Sequence, residues 1–139
     1  MKSFATLVKL QKNRVDEQRQ LLSKLLDRLE QVENRIKLLE AARVREHRAA
    51  SKNPMLMMTY PAFLEGLIAK RQVAEKEKKL AQRAVRLGRE KLAELFEEQK
   101  RYEIAEEQRL FRIAQEERRV ETIELDEIGG TRHERRKKA

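Results

Sequence analysis

The chain has 139 residues, 41% of them charged and 4% aromatic, with four glycines, two prolines, no tryptophan and no cysteine. This composition points to long helices and away from a loop-rich globule, and it excludes disulfides and thiolate metal sites. The net charge of +9 and a pI near 10.0 permit an anionic partner, whether nucleic acid, lipid or acidic protein, without selecting one.

No apolar run approaches the roughly 18 residues of a membrane span. Met1-Lys2-Ser3 leads straight into a helical pattern with no apolar signal region, so a cytoplasmic protein is expected.

The first element is expected from about Ser3 to about Ala50, with the Ser3 hydroxyl as N-cap acceptor. Phe4, Val8, Gln11, Val15, Gln18, Leu22, Leu25, Leu29, Val32, Ile36 and Leu39 follow one another in alternating steps of four and three. That is a heptad ladder, and the charged residues between its rungs leave one narrow apolar stripe that requires a partner helix. The ladder continues as Arg43 and Glu46, so it weakens towards its end. Gln11 and Gln18 are polar rungs. Either they fix register across the seam or this end meets another protein.

Asn53-Pro54 stops the helix, because proline disfavours the α conformation of the residue before it and cannot donate the helical hydrogen bond. Residues 51–60, including Met55, Leu56, Met57 and Met58, are expected as a connector. They cover the open end of a hairpin or form an adaptable sticky patch. Pro61 suits a first helical turn, so the second helix is expected over 61–128. Its seam reads Phe63, Leu67, Ala74, Ala81, Ala84 and Gly88. Folding back through the connector sets Leu22 and Leu25 near Gly88 and Ala84, and Leu29 near Ala81 or Ala84, large residues against small ones.

Past Leu95 the seam becomes Phe96, Leu110, Ile113 and Val120, with Gln99, Glu103, Glu106 and Glu117 between them. The first helix runs out opposite about residue 108. An overhang carrying exposed Leu110, Phe111, Ile113, Val120 and Ile123 is therefore expected, a stripe suited to a protein partner. Gly129-Gly130 is expected to end the helix, and residues 129–139 to form a flexible basic tail in which Arg132, Arg135, Arg136, Lys137 and Lys138 outweigh Glu134. The fold class is thus all-α, a long two-helix antiparallel coiled-coil hairpin with an overhanging C-terminal helix and a disordered basic tail.

No Gly-rich phosphate loop, Ser/His/Asp arrangement or cluster of metal ligands is present in the sequence. His47 and His133 lie far apart. Neither an enzyme, nor a cofactor, nor a bound metal is expected.

The segment from Met1 to Leu10 with Arg14-Val15-Asp16-Glu17, and Leu125-Asp126-Glu127-Ile128 with Arg132 beyond it, resembles the FliJ family of flagellar export proteins. Length and layout agree along the whole chain. The resemblance implies a cytoplasmic part of the flagellar type III export apparatus, peripheral at the cytoplasmic face of the inner membrane at the flagellar base. It implies a stalk that enters the ring of the hexameric flagellar export ATPase, contacts the cytoplasmic domain of the export gate protein and binds export chaperones. Leu7, Leu10, Arg14, Asp126 and Glu127 would lie at the ATPase end. The gate-binding surface would lie on the earlier half of the second helix. Alternatives from the same residues are the equivalent stalk of an injectisome, a basic coiled coil binding nucleic acid through Arg132–Lys138, and a homo-oligomeric scaffold joined through Leu110–Ile123. Only two tyrosines and four phenylalanines are available for base stacking.

Overall fold

The computed structural model describes residues 4–138; the expected N-cap Ser3 and the end of the tail at Ala139 lie outside them. Two helices account for the described chain, α1 (Ala5–Lys52) and α2 (Pro54–Lys138), of 48 and 85 residues. No strand occurs among the described residues.

The chain reverses more tightly than the sequence suggests. Only Asn53 separates the helices. Its side-chain Oδ1 accepts the Met55 amide at 3.0 Å, which makes it the N-cap of α2. Pro54 then occupies the first helical position, where its missing N–H costs nothing. A good cap and a good first residue start the helix seven residues before the expected start at Pro61. Pro61 falls inside α2 instead, and the Met57 carbonyl loses its helical donor there. Residues expected as a connector are therefore helical. Met55 and Met58 stand 78% and 84% exposed and do not cover the end of the hairpin. His47 and Tyr60 meet there, with ring centroids 5.6 Å apart and planes tilted by 59°.

Contacts divide the chain into two compact units, Asn13–Leu95 and the residues up to Lys12 with α2 from Phe96 on. In the first, contacts pair ascending positions on α1 with descending positions on α2, so the two helices run in opposite directions. Gln18 meets Gly88, Arg35 meets Glu77 and Glu40 meets Arg71. The buried set is Val15, Val32, Ala50, Leu67, Ala74, Ala81, Val85 and Leu95, with Gly88 also buried. The ladder of α1 supplies its members on that helix, apart from Ala50. On α2 the expected Leu67, Ala74, Ala81 and Gly88 are joined by Val85 and Leu95, whereas Phe63 is 38% exposed.

A Cβ placed at Gly88 would meet Leu25 Cδ1 at 3.2 Å and Leu22 Cδ1 at 3.3 Å. The large-against-small packing expected at this layer is therefore present, and glycine is needed for close approach. The polar rung Gln18 donates from Nε2 to the Gly88 carbonyl at 3.2 Å. Across the outer edges, Glu77 accepts from Arg35 at 2.6 Å and lies 3.5 Å from Arg28. Glu40 bridges Arg43 at 2.7 Å and Arg71 at 2.9 Å. The hydrogen bond from Arg43 holds the Glu40 carboxyl below its ordinary value, with Arg71 adding to the effect.

In the second unit, α2 continues through Gly129-Gly130 to Lys138. Neither glycine has a positive φ, so the left-handed cap expected to end the helix does not form. The Thr131 hydroxyl donates back to the Glu127 carbonyl at 2.9 Å, and the Arg, His, Glu and Lys residues that follow all tolerate a helix. Residues 129–138, expected as a flexible tail, extend α2.

Two glycines on one helix make opposite predictions. Gly66 has nothing within 4 Å of an added Cβ, so Gly66→Ala should stabilise by up to about 1 kcal/mol. Gly88→Leu should destabilise by about 1–3 kcal/mol through overpacking. Urea unfolding followed by circular dichroism reads both. Glu40 sets a pH dependence. Its folded pKa is depressed, so its contribution is present above the ordinary 4.5 and is lost as pH falls through the folded value. Glu40→Gln should lower the melting temperature slightly at neutral pH and leave it nearly unchanged at acid pH, so that the acid limb of the melting temperature against pH flattens.

Candidate partner-binding surface

The N-terminal turn of α1 is anchored by α2. An N-terminal helix end carries unsatisfied amides and a partial positive charge. Glu106 answers both, accepting the Phe4 backbone N–H at 2.8 Å. The same carboxylate accepts from Arg109 Nε at 3.1 Å and Nη2 at 2.9 Å, and both side chains are less than one-fifth exposed. The hydrogen bond to Glu106 raises the Arg109 pKa above its ordinary value. Two turns further on, the other polar rung is sealed. Gln11 is 1% exposed and donates from Nε2 to Glu98 Oε2 at 2.9 Å. Both glutamines of the ladder thus close across the seam, the register reading of their role. Nothing in sequence spacing identified Glu98 as the counterpart of Gln11, or Glu106 with Arg109 as the anchor of the Phe4 amide.

Two shallow grooves flank this anchor. One is bordered by Phe4, Arg109, Arg112 and Ile113, the other by Val8, Lys9, Glu107 and Leu110. Beyond Glu106 α2 runs on without α1 beside it. Every residue from Leu110 to Lys137 is exposed, including Leu110, Phe111, Ile113, Val120 and Ile123. These five do not make one stripe. Leu110, Ile113 and Val120 continue the seam in steps of three and seven, with Glu117 at the intervening rung, and by helical spacing Phe111 and Ile123 fall to either side of it.

The residues expected at the ATPase end separate into groups. Leu7 and Leu10 are exposed on α1, off the rungs Val8 and Gln11 that face α2. Asp126 and Glu127 are exposed as well, but Asp126 lies twenty positions past Glu106 (126 − 106), roughly 30 Å farther along the helix. They form no single patch with Leu7 and Leu10. Arg14 belongs to the other unit and is exposed. A further apolar series was not anticipated. Val73, Leu80 and Leu87, each seven residues after the last, are 57%, 68% and 49% exposed on α2. Their spacing is itself the signal, obscured by the stronger seam on the neighbouring face.

Among the described residues no group of three or more His, Cys, Asp or Glu could hold a metal ion, and no helix is long and apolar enough to cross a membrane. The family model described as flagellar FliJ protein matches residues 1–138 of the chain. No curated protein and no solved structure matches it.

Glu106 should prove the anchor of α1. Glu106→Gln is expected to cost about 1–2 kcal/mol and to speed hydrogen exchange at the amides of residues 4–11, leaving those near Val32 protected.

Proposed function

The chain belongs to the flagellar FliJ protein family and so to flagellar protein export, and we propose that it acts there as a non-enzymatic stalk. In this reading the two helices form an antiparallel coiled-coil hairpin whose anchored end enters the ring of the hexameric export ATPase. Leu7, Leu10 and Arg14 make contact from α1 and Asp126 and Glu127 from α2. Leu110, Phe111, Ile113, Val120 and Ile123 offer apolar contacts between these two sets. The protein then links the ring to the cytoplasmic domain of the export gate protein and to export chaperones, peripheral at the cytoplasmic face of the inner membrane.

The observation that carries the reading is the bare continuation of α2. A soluble helix that leaves Leu110, Ile113 and Val120 uncovered at seam positions is built to receive another surface. The roughly 30 Å between Glu106 and Asp126 also suits contacts spread along a shaft better than a single docking pocket.

Steady-state ATP hydrolysis by the export ATPase from the same source tests the proposal. Adding the chain should stimulate hydrolysis or stabilise hexamers. Leu7→Asp with Leu10→Asp should abolish the effect while leaving helix content unchanged, because both side chains are exposed. No stimulation by the unaltered chain at micromolar concentration would remove the stalk reading.

A further inference from the structure

α2 carries two incomplete seams of opposite charge. Between Leu67 and Lys91 there are nine Lys and Arg and three Glu (9 − 3 = +6). On that stretch Val73, Leu80 and Leu87 stand exposed with Lys76 and Arg83 at the rungs between them, a face turned roughly 100° or more from the buried Leu67, Ala74, Ala81 and Gly88. Lys76, Lys79, Arg83 and Arg86 make no ion pair among the described residues. Between Ile113 and Glu127 there are six acids and two arginines (2 − 6 = −4). There the bare seam reads Ile113, Glu117, Val120 and Glu124, and neither Glu117 nor Glu124 is ion-paired among the described residues.

We propose that these two faces bind each other between copies of the chain, the acidic continuation of one α2 lying antiparallel along the basic stripe of another. One antiparallel register satisfies four consecutive layers at once. Lys76 faces Glu124, Leu80 faces Val120, Arg83 faces Glu117 and Leu87 faces Ile113. Within these four layers apolar rungs meet apolar rungs and each charged rung meets its opposite, and the match ends where Val73 falls opposite Glu127. Arg86 and Glu116 fall together on the flank of the same register. Its one like-charge flank pair, Glu77 with Glu121, is relieved because Glu77 already accepts from Arg35 at 2.6 Å. Slipping the register by one rung sets Leu80 against a glutamate and Arg83 against an apolar residue. The alternation therefore specifies this alignment against slips of one rung, and a slip of a whole repeat keeps at most three matched layers.

Both faces belong to α2, and the partner proposed for each is a second copy of the chain. The incoming helix takes up the seam at Ile113, beside Phe4, where α1 gives out. Donor and acceptor faces differ, so the contact is heterologous and propagates head to tail. Four layers bury a small area, which makes the association weak and concentration-dependent.

The full chain tests this without any other component. Sedimentation velocity should show the mean mass rising with concentration and falling back with added salt. Arg83→Glu or Glu117→Arg alone should weaken association roughly tenfold or more. Mixing an Arg83→Glu chain with a Glu117→Arg chain should restore it, since positions 83 and 117 then carry opposite charges in both contacts between unlike chains, native in one and exchanged in the other. The protein has no cysteine, so Leu80→Cys and Val120→Cys chains mixed under mild oxidation should give the mixed disulfide ahead of either homotypic one. A mass that stays monomeric at every concentration overturns the proposal. So does association indifferent to the charge reversals, or homotypic crosslinks alone. The export ATPase takes no part in the test, so its outcome is separate from that of the stalk reading.

Discussion

At Gly88 the Cδ1 atoms of Leu22 and Leu25 come within 3.3 Å of where a Cβ would stand. That approach is possible only because α2 presents Ala74, Ala81 and Gly88 where α1 presents branched side chains. Two helices joined by a single residue have no loop to absorb a misfit. The glycine costs roughly 1 kcal/mol of helix propensity against alanine. Close packing on both leucines, with the Gln18 amide on the Gly88 carbonyl, offsets that cost.

Polar groups in the seam decide where pairing is exact. An apolar heptad ladder tolerates slippage by a repeat, because one leucine replaces another. Gln11 on Glu98, Gln18 on Gly88 and Glu106 on the Phe4 amide do not. A slip would leave a buried amide or carboxylate without its partner, at a cost of about 1–3 kcal/mol each. Exposed bridges such as Arg71–Glu40 are screened by solvent and contribute little. Register is therefore set by the few polar contacts that are shielded.

The parts of this architecture legible in the sequence are those carried by strict spacing. The α1 ladder from Phe4 to Leu39 lies on the half-buried or buried face throughout, because a heptad constrains many positions at once. Single-residue signals were less reliable. Pro54 and Pro61 each fit a first helical turn, and only the Asn53 side chain on the Met55 amide decides between them. Gly129-Gly130 permits a left-handed cap without requiring one. The partners of Gln11 and Phe4 depend on pairing across some ninety residues or more, which local pattern does not encode. At the candidate surface the exposure of Leu110, Ile113 and Val120 followed from counting helix lengths. The separation of Leu7 and Leu10 from Asp126 and Glu127 appears only once Phe4 is fixed beside Glu106.

Solubility and recognition meet in the same residues. A seam that continued as leucine and isoleucine past residue 110 would bury itself against any available helix. Glu117, Glu124 and Glu127 interrupt it on both sides of Val120, so an apolar helix laid along it would leave carboxylates buried and unpaired. Lys76 and Arg83 do the same between Val73, Leu80 and Leu87. These charges reject generic apolar partners, and a partner is accepted only if it brings opposite charges at matching intervals. On such helices the spacing of charge within each stripe is what can distinguish one partner from another.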